Sequence, residues 1–161
     1  MKKRNNWFKR KLLVPLFDLL KQGISPEKLS LALTLGLLLS VFPVFGSHTL
    51  LCLLIIWLFR LNPGAVFLIN NLAYPLIFIT YLPFIRMGEW LFNAPKFPFV
   101  ISDILELITS NPWNAILTLW DATMNAICAW LICSLIAFPL LYFCLRFIIK
   151  QSTARFLIKQ G

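Results

Sequence analysis

Residues 29–59 read LSLALTLGLLLSVFPVFGSHTLLCLLIIWLF, a run of 31 positions without one charged side chain. A helix built from such a run is apolar on every side, so lipid or protein must surround it and no arrangement with one face in water suits it. The centre of the run contradicts its flanks. Pro43 removes a backbone donor, Gly46 supplies a flexible joint, and Ser47, His48 and Thr49 bring three hydrogen-bonding side chains. As one straight helix the run would be about 46 Å long, against roughly 30 Å of hydrocarbon. Two geometries are open: a tilted, kinked single crossing, or two half-helices over 29–42 and 47–59 that enter and return on the same side.

Composition places the whole chain with that run. It is 60% hydrophobic and 13% charged, where a soluble domain is about 45–50% apolar and about 25% charged. The sequence therefore predicts an all-α, polytopic helical integral membrane protein with a re-entrant or broken helical hairpin and flanking amphipathic helices. The net charge of +9 does not indicate nucleic acid, because no recognition motif accompanies it and the cations gather at the two ends of the chain. Lys2, Lys3, Arg4, Lys9, Arg10 and Lys11 precede the first apolar run, and Arg146, Lys150, Arg155 and Lys159 follow the last. Cations collect on the cytoplasmic side of membrane proteins, so both termini are expected there, beside an anionic leaflet of the bilayer.

In order along the chain, 1–23 is a basic segment with a short amphipathic helix from Pro15 to Gly23. Pro15 and Asp18 interrupt its apolar part and no cleavage site follows, so it is expected to stay on the protein rather than act as a signal peptide. Residues 24–92 form the core with broken helices. Ser25-Pro26-Glu27 is a helix start in which serine caps, proline takes the first helical position and the acid sits at the positive end. Asn62-Pro63-Gly64 reads as a turn before a second apolar run over 65–85, with Asn70 and Asn71 inside it and Pro75 following. Arg86 and Glu89, three apart, read as a surface pair. Residues 93–125 form an interfacial region: a breaker-rich loop at 94–98, an amphipathic helix at 101–108, and the cap Asn111-Pro112 ahead of another amphipathic stretch. Residues 126–161 supply a spanning helix over 126–149 and a basic tail.

Parity restricts the topology. Three single crossings from a cytoplasmic N-terminus would leave the C-terminal cations outside, so one run must not cross. The 29–59 run is the first choice for the non-crossing hairpin, and a fourth crossing within 101–124 is the alternative.

The four cysteines lie in apolar segments without Cys-x-x-Cys spacing, which points to small hydrophobes rather than disulfides or metal ligands. One histidine, no Gly-x-Ser-x-Gly and no acidic pair within an apolar run leave the constellations of a hydrolase unfilled, so no enzymatic activity, metal or cofactor is expected.

The order Gly23-x-Ser25-Pro26, Gly36, Phe42-Pro43-x-x-Gly46-x-x-Thr49, Arg60-x-Asn62, Asn71, Pro75 and Gly88 resembles the DUF2062 family of bacterial membrane proteins over residues 12–92. The family commonly has an Asn-Pro pair in the second run, whereas here Asn71 and Pro75 are separated by three residues. The resemblance implies a bacterial cytoplasmic membrane protein. Related domains accompany membrane-associated glycosyltransferases, which implies a place beside lipid-linked sugar or envelope chemistry.

The candidate site residues are Pro43, Gly46, Ser47, His48, Thr49, Asn70, Asn71 and Pro75. Polar groups within the membrane carry function by default, although a histidine at a helix break also serves to pair a freed carbonyl, and asparagines join helices. The two breaks are expected to meet in one polar pocket, since each holds donors that hydrocarbon cannot satisfy. The reading is a protein that moves or handles a lipid or small solute at this site. The alternative is a non-catalytic accessory or scaffold for an envelope-biosynthesis enzyme. Oligomeric state is not encoded in any feature of the chain.

Overall fold

The computed structural model describes residues 24–98 and 101–158, and the amphipathic helix expected within 1–23 lies outside them. The described residues form helices without strands: α1 (Pro26–Ser40), α2 (His48–Phe59), α3 (Pro63–Ala73), a 3-10 turn (Tyr74–Leu76), α4 (Ile77–Phe92), α5 (Ile101–Ser110) and α6 (Pro112–Ile158).

α1 starts where the sequence says it should. The amide of Lys28 donates to Ser25 Oγ at 3.3 Å, Pro26 opens the helix and Glu27 lies in its first turn. Its end comes two residues early, at Ser40, because the hydroxyl of Ser40 donates back to Leu37 O at 2.6 Å and the backbone tightens there, with Val41 N bonding Leu38 O and Phe42 N bonding Leu39 O. Asn62, expected in a turn, instead caps α3: its Oδ1 accepts from the amide of Ala65 at 3.1 Å, and Pro63 takes the first helical position. Asn111 caps α6 in the same way, accepting from the amide of Asn114 at 3.2 Å.

α1 is the buried centre of the bundle, packed on α2, α3 and α6. Leu29, Ala32 and Leu33 of α1 form a core with Cys52, Leu61, Ala65, Val66 and Ile149. The polar members of α1 stay buried without partners from outside the helix, because the hydroxyl of Ser30 donates to Pro26 O and that of Thr34 to Ser30 O, each one turn back. Gly36 lets α3 approach: a Cβ there would stand 2.8 Å from Val66 O and 2.5 Å from Ile69 Cγ2.

α1 and α2 fold back on each other. Ile24, Ser25 and Lys28 at the start of α1 line one cleft with Arg60, Leu61, Asn62 and Pro63 at the end of α2 and start of α3. The arms are about 22 and 18 Å long by their residue counts. At the same end of the molecule Glu27 receives Arg146 at 3.2 Å and Lys150 at 2.9 Å from α6. The Lys150 ammonium, with the carboxylate's own backbone amide and Arg146, holds the Glu27 carboxyl down at about 2.

At the far end, Gly88 of α4 lies against the backbone of Asn125 of α6. α6 rises about 32 Å between Asn125 and Arg146. Four of the chain's six acidic residues, Glu89, Asp103, Glu106 and Asp121, fall in this far region. The Arg86–Glu89 pair forms at 2.7 Å but is not a surface pair. Glu89 is only 6% exposed, and its second oxygen accepts from the amide of Phe97 at 2.7 Å.

The apolar run over 65–85 is part of a longer rod, for α3, the 3-10 turn and α4 follow one another with no intervening loop. The turn has a local cause: Pro75 has no N–H to offer the carbonyl of Asn71, so the chain tightens for three residues. Likewise α6 is continuous through the amphipathic stretch, the spanning stretch and much of the basic tail. Among the described residues, two helical stretches are long and apolar enough to cross a membrane, Pro63–Phe92 and Pro112–Gln151.

Candidate functional site at the helix break

The break between α1 and α2 is built by Pro43 and Gly46. Pro43 is buried, while Gly46 stands in the left-handed region at φ 84° with open space about it, a conformation that disfavours any residue with a Cβ. Val44 N bonds Phe42 O at 2.9 Å, which closes the turn. Ser47 precedes α2 but does not cap it, since its hydroxyl donates to Val44 O at 2.9 Å. The first amides of α2 therefore lack a side-chain cap, and the positive end of that helix is left uncompensated by its own N-cap residue.

Aromatic side chains hold this tip in place. Phe42 meets Trp130 of α6 edge-on at 4.8 Å between ring centres, and the Trp130 indole N–H donates to Leu38 O at 3.1 Å, a second donor beside the long bond from Val41 N. Phe45 packs on Tyr81 at 5.2 Å and on Phe78 at 6.0 Å. The tip is thus anchored to α4 on one side and to α6 on the other.

His48 opens α2 and is 4% exposed. Its ring meets Tyr74 edge-on at 4.9 Å with an interplanar angle of 80°. Neither ring nitrogen has a hydrogen-bond partner of ordinary geometry. A buried imidazole without partners forfeits on the order of 1–3 kcal/mol relative to a paired one. Thr49 beside it is exposed.

The two breaks foreseen from the sequence do meet, but through His48 and Tyr74 rather than through the asparagines. Asn70 is buried and its amide donates across to Gly36 O of α1 at 3.3 Å, so it joins α3 to α1. Asn71 lies one helical step away on the exposed side, and Pro75 is exposed in the 3-10 turn. Sequence reasoning missed Tyr74 and Trp130. The signal was available in part, since an aromatic next to a helix-breaking proline, and a tryptophan amid alanines on a long apolar helix, both carry a polar handle that seeks a partner.

Among the described residues no cluster of three or more histidine, cysteine or acidic side chains could hold a metal. Cys52 is buried, Cys128 and Cys133 are half-buried and Cys144 is exposed, all as free thiols.

The sequence model of one family, described as "Uncharacterized protein conserved in bacteria (DUF2062)", matches residues 9–156. The match extends well past residues 12–92, where the motif order is visible by eye, and takes in α5 and nearly all of α6. No curated protein and no solved structure matches the chain.

Proposed function

We propose, from the premise that this chain belongs to the DUF2062 family of proteins conserved in bacteria, that it is a small integral membrane protein of the bacterial cytoplasmic membrane that handles a lipid or small solute at the α1–α2 break. In this reading the Pro63–Phe92 rod and α6 each cross once, and α1–α2 is a re-entrant hairpin that enters from the cytoplasmic face. Three features support the arrangement. The cations Lys28, Arg60, Arg146 and Lys150 share one end of the molecule with the acid Glu27, four acids lie toward the other end with the cations Arg86 and Lys96, and the 32 Å or so between the Arg146 and Asn125 levels suits a hydrocarbon slab of about 30 Å. The arms of the hairpin then carry its tip past the midplane, to the depth of Trp130.

The observation that carries the functional part is His48: a buried imidazole with both nitrogens unpaired, at an uncapped helix start, where two helix breaks touch. Backbone that departs from helix at such depth is tolerated where protein or a cavity surrounds it, and an ionisable group there is a default functional candidate. The Ser47 hydroxyl at the break is given to Val44 O rather than to His48, which favours a binding role over bond-making chemistry.

Two measurements check the reading. Single cysteines at Lys28 and at Gly64, in a background without the four native cysteines, are expected to react with an impermeant thiol reagent from the cytoplasmic side only. Labelling from opposite sides would replace the re-entrant hairpin by a kinked crossing. For function, deletion of the gene followed by lipid profiling is expected to change the level of at least one lipid class. His48→Leu, present in the membrane at the normal level, is expected to leave that change uncorrected. Full correction by His48→Leu would remove the break from the mechanism and favour an accessory or scaffolding role.

A further inference from the structure

A second place on the molecule, about 20 Å along α1 from the break, has the makings of a site of a different kind. The cleft between the start of α1 and the α2–α3 junction measures about 470 Å³ and is lined by Ile24, Ser25, Lys28, Arg60, Leu61, Asn62 and Pro63. That volume falls within the range of about 300–1,000 Å³ typical of small-molecule sites. Its two charged side chains are both cations, and neither has an ion pair among the described residues. The one acid nearby, Glu27, is taken up twice over by Arg146 and Lys150 from α6. Two helices begin at this cleft, α1 behind Ser25 and α3 behind Asn62, and one, α2, ends there at Arg60, so the helix ends together leave a positive contribution beside Lys28 and Arg60.

Arg60 is held there at a cost. It ends α2 in the left-handed region at φ 49° and ψ 48°, with its amide bonded to Ile56 O. Glycine fits that position without strain, whereas a side chain carries about 1 kcal/mol or more. An arginine at this position brings a guanidinium to the lining of the cleft. Directly along α2 from Arg60, the outward face is apolar and open: Trp57 is 77% exposed, Leu58 60%, Leu54 54% and Leu50 71%. A ligand with an anionic head and long apolar chains matches that sequence of surfaces, the head in the cleft and the chains along α2.

We infer that this cleft binds the phosphate of an anionic phospholipid, with Arg60 and Lys28 as the charge-bearing contacts. The inference is independent of the His48 site and would stand if that site did nothing. Guanidinium and ammonium groups both pair with phosphate oxygens, the former in a two-pronged geometry.

The test uses the purified full chain in a neutral detergent, with phosphatidylglycerol as the probe and native mass spectrometry as the readout of bound lipid. Wild type is expected to retain phosphatidylglycerol in preference to phosphatidylcholine, and the double variant Arg60→Gly with Lys28→Gln to retain it at least tenfold less. Lys96→Glu removes the same two units of formal charge at a residue outside the cleft and is expected to retain wild-type binding. Equal losses in Lys96→Glu and the double variant would reduce the effect to bulk charge and overturn the site. Arg60→Gly alone separates binding from structure: its thermal stability is expected to equal or exceed wild type, as the left-handed strain is relieved, while lipid retention falls. Unchanged lipid retention by Arg60→Gly, in that stable protein, would overturn the inference. A soluble arm with glycerol 3-phosphate distinguishes the source of the phosphate. Competition by millimolar glycerol 3-phosphate as strong as that by phosphatidylglycerol would overturn the assignment to a lipid.

Discussion

Replacing Gly88 by alanine is expected to separate α4 from α6 and to lower the stability of the folded protein by about 3 kcal/mol or more. A Cβ at this position would fall onto the carbonyl oxygen of Asn125, 2.5 Å from its carbonyl carbon and 2.9 Å from its Cβ. Two of those three atoms are backbone in the middle of a long helix, so no side-chain rotation relieves the clash. Gly36→Ala meets a softer wall, because one of its two close contacts is the Ile69 methyl, and a smaller loss is expected there. Thermal unfolding in detergent, followed by tryptophan fluorescence, reads both. A Gly88→Ala protein with the wild-type midpoint would mean that α4 and α6 do not touch at this point.

The next largest effect is expected at Glu89. Its carboxylate is almost fully enclosed, with one oxygen on Arg86 and the other on the amide of Phe97, and so ties the loop after α4 back to the helix. The loop is also turned by Asn93, which ends α4 at φ 49° and lets the amide of Ala94 reach Glu89 O at 2.9 Å. A hydrogen bond to a charged group contributes about 1.5–3 kcal/mol, so Glu89→Ala is expected to lose about 2–3 kcal/mol. Glu89→Gln keeps an acceptor for Phe97 and is expected to lose less. Protease cleavage in the 93–98 loop should accelerate in Glu89→Ala and much less in Glu89→Gln. Equal cleavage rates in Glu89→Ala and wild type would show that Phe97 and its neighbours hold the loop unaided.

Local chemistry is what the sequence made visible. Ser25-Pro26, Asn62-Pro63 and Asn111-Pro112 each place a capping side chain before a proline that fits a first helical turn, and all three open helices. Pro43 and Gly46 foretold the break for the same reason, as both act on their own backbone. Facing is what the sequence withheld. α2 and the central stretches of α1 and α6 have no distinct polar face, and when the surroundings of a helix are as apolar as its partners, pattern does not tell which side packs inward. Asn70 and Asn71 illustrate this: adjacent and chemically identical, they are divided by the bundle into one that bonds Gly36 O and one left exposed. Small side chains were the better guide to contact: Gly36 lies against α3 and Gly88 against α6, and Ala65, Ala126 and Ala129 are buried.

The central helix takes its polar partners from far downstream, and this bears on the order of assembly during synthesis. Gly36 waits for Asn70, Leu38 for Trp130, and Glu27 for Arg146, which lies 119 positions later. At about 5–20 residues per second, a ribosome takes roughly 6–24 s to travel from Glu27 to Arg146. For that interval α1 is without its partners from α6, the Trp130 indole at Leu38 O and the Arg146 and Lys150 cations at Glu27. The pairing of the central helix is therefore completed last, by the final helix of the chain.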